Sequence, residues 1–355
     1  YLQSETPLVF DDVTGQIPEL AGSGKWAAGV ALADIDADYD LDIYISYFDE
    51  PNQLFINETT EPGKPRFRED AATWGLAIQD AAFMPHFCDY DRDGDLDIYL
   101  TCEQYRDPAG TASEDRVTEV DGRLVVNQGL EDYYAVIRDY RGRETVKGVG
   151  RGDYLLKNLI AESRGRSPRF YDVTHLAGIR DIGLGNSARW WDYDQDGWMD
   201  LFVGNDFTHP DRLYRNLGDG TFTDVIGEAF PHLTWFSMGS DSGDINNDGF
   251  PDLLVSDMAG TTHYRSKVSM GEMGDSADFL KYARPQQYMR NAVFVSTGTE
   301  RFMEAAFLTG LANTDWTWAA KLIDLDNDGW LDAYFTNGAA RMFNHADMTV
   351  PESQR

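Results

Sequence analysis

Short apolar runs alternate along the chain with acidic turns. Ile43-Tyr44-Ile45, Ile98-Tyr99-Leu100, Leu201-Phe202-Val203, Leu253-Leu254-Val255 and Ala333-Tyr334-Phe335 each follow such a turn. Runs this short, rich in β-branched and aromatic residues and bounded by Asp and Gly, read as strands of a buried sheet. The turns share one pattern, Asp-x-Asp/Asn-x-Asp-Gly-x-x-Asp. Its copies start at Asp34, Asp89, Asp192, Asp244 and Asp324, so they lie 55, 103, 52 and 80 residues apart.

A second pattern follows each of the first four copies. It appears as NQLFIN then PRFRED, as DYLLKN then RFYDVT, as DRLYRNLGDGTFTDV, and as NAVFVS then RFMEA. One unit is therefore an apolar strand, an acidic loop, and three more strands in about 50 residues, the size of a propeller blade. The 103-residue gap holds one second half and reads as a blade with an insertion at about 104–150; the 80-residue gap holds another at about 257–290. The expected fold is an all-β propeller of four-stranded blades forming one domain over residues 1–355. Five blades are recognisable, and up to seven remain open. The strand Leu8–Thr14 matches the fourth-strand pattern with no blade before it. It is expected to close the ring on the last blade, with 340–344 as that blade's third strand, which removes exposed sheet edges.

Alternating carboxylates followed by Gly make an oxygen cage suited to a hard divalent cation. Side chains at positions 1, 3, 5 and 9 and the carbonyl at position 7 are the expected ligands. The candidates are Asp34, Asp36, Asp38, Asp40 and Asp42 in loop one and Asp89, Asp91, Asp93, Asp95 and Asp97 in loop two. Loop three offers Asp192, Asp194, Asp196, Trp198 and Asp200. Loop four offers Asp244, Asn246, Asp248, Phe250 and Asp252, and loop five Asp324, Asp326, Asp328, Trp330 and Asp332. Without a cation, such carboxylates repel and raise one another's pKa. Up to five Ca²⁺ ions are expected; Mg²⁺ suits these loops less, because it keeps its waters. An EF-hand needs a bidentate Glu at position 12 between helices. Here that position is Ile45, Leu100, Val203, Val255 and Phe335, all in strand-like runs. Asp and Gly also favour plain turns, but five copies at one place in a repeat argue for ion sites. Loop one has Tyr39 where Gly is expected, and loop four has Asn246 for a carboxylate. Loop two keeps the full pattern and ranks as the best-formed cage.

These loops, with phrases such as LYRNLGDGTFTDV, SDMAGTTHYRSKVSMGEM and DLDNDGWLDAYFTNG, resemble the FG-GAP or VCBS repeats of integrin-α-like propellers. More narrowly, they resemble bacterial relatives of the cartilage acidic protein family. The resemblance implies a secreted, cell-surface or periplasmic calcium-binding propeller used for adhesion or recognition. Many such relatives are longer and end in an ASPIC/UnbV domain, so the chain is expected to be part of a larger protein.

Composition narrows the partners. Lys plus Arg number 30 and Asp plus Glu 61, a net charge of −31, which opposes nucleic-acid binding. With 42% hydrophobic residues the chain can build a large core, and no apolar run is long enough to span a membrane. The opening residues lack the basic and apolar regions of a signal peptide, so any leader is expected to have been removed. Cys88 and Cys102 flank one hairpin out of step and are expected to be free thiols. The insertions join strands two and three, away from the acidic loops. Val117–Val126 reads as a hairpin around Asp121-Gly122. Tyr133, Tyr134, Arg138, Tyr140, Tyr264, Arg265 and Lys267 mix aromatics with charge there, and loops carry recognition more often than scaffolds do. Capping of a central channel is the equal alternative. Trp198, Phe250 and Trp330 are expected to pack on a neighbouring blade rather than on sugars. Arg151-Gly152-Asp153 spells an integrin-recognition tripeptide, but Asp153 shares its repeat position with Asn52 and Asp211, so coincidence is expected. Asn57-Glu58-Thr59 is a glycosylation sequon. The six histidines form no HExxH pair, and no GxSxG, P-loop or dinucleotide fingerprint is present. The expected function is a calcium-stabilised binding or adhesion module recognising a glycan or protein. The alternatives are a carbohydrate-active hydrolase or lyase on the same scaffold, or a structural subunit of an extracellular assembly.

Overall fold

The computed structural model describes residues 2–3, 10–20, 24–105, 107, 109–138, 144–160, 169–180, 183–206, 209–268 and 284–338. They fall into two compact units. The first comprises residues 1–102 with 153–177, and the second 103–152 with 178–355.

The first unit holds two four-stranded antiparallel blades. One runs Ala27–Ala33, Asp42–Tyr47, Gln53–Asn57 and Phe67–Glu69; the other runs Ala82–Cys88, Asp97–Cys102, Tyr154–Asn158 and Phe170–Asp172. The apolar runs read from the sequence are the second strands, and the acidic loops join strands one and two. Tyr44, Leu54, Ile98, Leu100, Trp74 and Phe170 form one buried cluster between the blades. Close approach sets Gly29: a Cβ there would lie 2.4 Å from the Phe83 carbonyl oxygen in the next blade.

The second unit holds two more complete blades. Their strands are Gly185–Trp191, Asp200–Asn205, Arg212–Asn216 and Phe222–Asp224, then Ser240–Gly243, Asp252–Val255, Ala292–Ser296 and Phe302–Glu304. Between them Phe230 stacks on Phe302 at 4.8 Å and meets Phe294 at 4.4 Å. A fifth sheet pairs Asp315–Ile323 with Asp332–Asn337 and adds Met258–Ala259 at one end. Few helices occur among the described residues, and one-turn helices such as Ala71–Trp74 and Ala306–Thr309 follow fourth strands.

Both insertions lie where the repeat placed them, between strands two and three of their blades. The first contains the expected hairpin, Val117–Val120 paired with Arg123–Val126. Asp121 and Gly122 at its turn have φ of 51° and 74°, both left-handed as a type I′ turn requires. A second hairpin pairs Tyr134–Arg138 with Glu144–Gly148; Tyr140 lies outside the described residues. In the other insertion, His263–Val268 is helical.

Phe10–Asp11 pairs with Leu2–Gln3 in a short antiparallel ladder; Leu8 and Val9 of the strand expected to close the ring on the last blade lie outside the described residues. Residues 340–344, expected as that blade's third strand, lie outside the described residues. Cys88 and Cys102 form no disulfide: Cys88 faces Asp97 and Cys102 faces Ala82, at opposite ends of one ladder.

Candidate metal sites in the acidic loops

All five loops fold by the same hydrogen bonds. The position-1 carboxylate accepts from the N–H of position 6: Tyr39 to Asp34 at 2.9 Å, Gly94 to Asp89 at 3.1 Å, Gly197 to Asp192 at 2.9 Å, Gly249 to Asp244 at 2.8 Å, and Gly329 to Asp324 at 2.9 Å. The position-5 carboxylate accepts from the N–H of position 7, as Asp38 does from Asp40 and Asp196 from Trp198; Asp93, Asp248 and Asp328 repeat this bond with Asp95, Phe250 and Trp330. The position-9 carboxylate accepts from the N–H of position 2, as in Ile35 to Asp42 at 2.9 Å. Its other oxygen accepts from the end of strand three: Asn57 to Asp42, Asn158 to Asp97, Asn216 to Asp200 and Ser296 to Asp252, at 2.7–2.8 Å. Asp42, Asp97, Asp200 and Asp252 thus tie the loop to the third strand and are fully buried. Position 6 has φ of 88–94° in the four glycine-bearing loops, and Tyr39 adopts 75° in the first. Loop one therefore keeps the turn that Gly makes easy elsewhere, with the tyrosine 96% exposed.

Positions 1, 3 and 9 converge. Asp34, Asp36 and Asp42 each offer an oxygen within 4.8 Å of the others, as do Asp89, Asp91 and Asp97, Asp192, Asp194 and Asp200, and Asp324, Asp326 and Asp332. In loop four Asn246 takes the third place, its amide donating to Asp248 at 2.9 Å. Burial and the neighbouring Asp42 and Asp38 push Asp36 up to about 6. Burial pushes Asp97 and Asp200 up to about 8, with Asp91, Asp93 and Asp194 adding repulsion. Oδ1 of Asp36, Asp91 and Asp192 is buried and accepts no hydrogen bond. Buried oxygens ordinarily have partners; each of these residues converges with two carboxylates of its own loop, a donor set that fits a hard cation.

FG-GAP-like repeats match residues 34–100 and 192–255. The fold is a β-propeller, and these two stretches of it are FG-GAP-like repeats. The chain is 35% identical over 390 residues to cartilage acidic protein 1 of Xenopus tropicalis, with 91% of the chain aligned to 52% of that protein. The propeller chain thus spans about half the length of this curated relative. Two solved structures are similar at 14% identity. An Agrocybe aegerita lectin, described by its recognition of non-reducing terminal N-acetylglucosamine, aligns 80% of this chain with 66% of its own at a TM-score of 0.30. The V. cholerae biofilm matrix protein Bap1 aligns 68% with 37% at a TM-score of 0.20.

The propeller disposes of two sequence motifs. Asp153 of the RGD tripeptide is buried and accepts from the Cys102 N–H at 2.7 Å and the Tyr99 hydroxyl at 2.6 Å. The same repeat position does this elsewhere: Asn52 accepts from the Tyr47 N–H, Asp211 from Asn205 and Asn291 from Asp257. It is a strand clamp. Trp198 packs over Gly218 of its own blade's strand three-to-four turn, and Phe250 over Gly298 of its own. Sequence reasoning also missed two cations at the cages. Lys157 pairs with Asp91 and lies 3.2 Å from Asp93, and Arg215 lies 2.9 Å from Asp194. The signal was present in DYLLKN and DRLYRN, where the residue before the closing Asn is basic. The loops are also linked sideways in the second unit: Gln195 donates to the Gly249 carbonyl at 2.7 Å and Asn247 to that of Gly329 at 3.1 Å.

Proposed function

We propose that the chain is one propeller domain, residues 1–355, that works outside the cytoplasm as a calcium-stabilised binding or adhesion module. The observation carrying this reading is the repeated convergence of carboxylates whose buried oxygens lack hydrogen-bond partners. Calcium would be held by the carboxylates at positions 1, 3, 5 and 9, with Asn246 at position 3 of loop four. The carbonyls of Asp40, Asp95, Trp198, Phe250 and Trp330 would complete the set. The ion would supply the positive charge that buried carboxylates need and would lock strand one to strand two. No helix among the described residues is long and apolar enough to cross a membrane.

The ligand, a glycan or a protein, would meet the ends of the blades opposite the calcium loops. The insertions leave from those ends, and the first presents an exposed hairpin that belongs to no blade. Arg116 lies 4.5 Å over the Tyr134 ring there, an aromatic and arginine pairing of the kind that anchors binding sites. The test has two parts. Elemental analysis of dialysed protein should give up to five Ca²⁺ per chain. A glycan and matrix-protein binding screen should then compare the wild type with a variant whose Val117–Val126 hairpin is shortened. Equal calcium with reduced binding supports the reading; absence of calcium from the wild type, or binding that survives hairpin loss but not loop mutation, overturns it.

A further inference from the structure

The third strand closes each complete cage with a backbone N–H from Asn57, Asn158, Asn216 or Ser296. The residue just before that N–H differs between blades. It is Ile56 in the first, Lys157 in the second, Arg215 in the third and Val295 in the fourth. Lys157 sends its ammonium into cage two, paired with Asp91 and 3.2 Å from Asp93 Oδ2. The three side chains are mostly covered, at 23%, 13% and 22% exposure. Arg215 approaches cage three through Nε, 2.9 Å from Asp194 Oδ2, while Nη1 lies 3.4 Å from Glu300 in the next blade. The lysine is committed to its cage; the arginine is shared with a neighbour. Ile56 and Val295 bring no charge to theirs.

Resting on the calcium reading above, we propose that Lys157 is a tethered cation that competes with calcium for cage two. Both are drawn by the same oxygens: Asp91 is a position-3 candidate ligand and Asp93 a position-5 one. An ammonium at that place neutralises part of the cage in the absence of metal, and a divalent ion entering must break the pair and displace it. An intramolecular competitor is present at high effective concentration, so it weakens the cage for free calcium without changing a ligand. The five cages are then unequal. Cage two, best formed by sequence, is held back, while cages one and four fill without opposition from this position. A reserve cage of this kind gives the propeller one blade whose loop stays ordered when calcium is scarce.

Calcium titration of the full chain, by calorimetry with a competing chelator, tests the proposal with Lys157→Met, which keeps the stem and removes the charge. Melts in chelator and in calcium accompany each titration. One site should tighten about tenfold, the others should stay as in the wild type, and the variant should melt lower than wild type in chelator. Lys157→Gln, which retains a hydrogen-bond donor, serves if the methionine variant does not fold and should behave alike. A wild type that binds calcium while both variants bind it equally or more weakly overturns the competition and leaves the calcium reading intact. A wild type and variants that bind no calcium overturn both.

Discussion

The third and fifth blades carry almost the same loop, DYDQDGWMD against DLDNDGWLD, in very different surroundings. In the third, the second strand Asp200–Asn205 is buried at all six positions; in the fifth, Asp332–Asn337 is exposed at four and half-buried at two. Asp200 accepts from Tyr193 and from Asn216 on strand three. Asp332 accepts from Leu325 at 3.0 Å, within the loop. Trp198 lies on Gly218, whereas Trp330 is 53% exposed. The turn itself is nevertheless the same: Gly197 and Gly329 have φ of 92° and 88°. The loop is thus a local product of its own nine residues, and burial comes from strands three and four. A cage needs the first and gains rigidity from the second.

The largest effect that would break this comparison is removal of the ions themselves. A bound ligand at 100-fold over its dissociation constant adds about 2.7 kcal/mol per site, and a chain of this size shifts roughly 2 °C per kcal/mol. Chelation should therefore lower the melting temperature by about 10 °C or more, with the complete blades losing most. Calorimetry with and without excess calcium measures this; an unchanged transition after confirmed ion removal would refute a stabilising role for the loops.

The next test sets the two blades against each other. Asp200→Ala strands the N–H groups of Tyr193 and Asn216 in a buried place, at about 1–3 kcal/mol for each lost partner. It should cost about 3 kcal/mol or more. Asp332→Ala, at an exposed position, should cost under about 1 kcal/mol. Denaturant unfolding in chelator compares them free of ion loss, and similar costs would mean that burial does not set the worth of position 9.

How much of this was legible follows from how far apart the partners are. Every bond inside a loop spans seven residues or fewer, as from Asp34 to Tyr39 or Asp42 to Ile35, so a nine-residue pattern specifies it. The blade order was legible because the pattern recurs. Lys157 at Asp91 spans 66 residues, and its approach depends on the third strand's register, which one unaligned sequence does not state. The packing of Trp198 on Gly218 was not legible for the same reason. The N-terminal pattern specifies a strand but not its partner, and the ladder to Leu2–Gln3 was not readable from it.

A third experiment uses pH. Burial, with repulsion from neighbouring carboxylates, raises Asp97 and Asp200 to about 8, above the unfolded value of about 3.9. For a carboxyl raised in the fold, the native state holds the proton more tightly. Its contribution is complete below about pH 4 and is lost as pH climbs through about 8. In chelator, stability should therefore fall from pH 5 to pH 8, and Asp200→Asn should flatten that slope. In calcium the slope should reverse, because ligands must be deprotonated to bind. Melts at several pH values in both media decide it; chelated protein that gains stability toward pH 8 would contradict the assignment.

The smallest effect sharpens the claim that the loop is local. Tyr39 has φ of 75° where the other loops have Gly, and its ring is almost wholly in solvent. A non-glycine residue in the left-handed region costs about 1–2 kcal/mol, and an exposed ring recovers little of that by packing. Glycine relieves the strain but gives the unfolded chain more freedom, which returns up to about 1 kcal/mol. Tyr39→Gly should thus be neutral to about 1 kcal/mol stabilising in chelator. If the turn is already correct, as the Tyr39 N–H bond to Asp34 indicates, calcium affinity at cage one should change by less than about threefold. Denaturant melts and calcium titration read the two quantities separately. A large gain in affinity would mean that the tyrosine distorts the cage, and that the loops are not equivalent in the way their hydrogen bonds suggest.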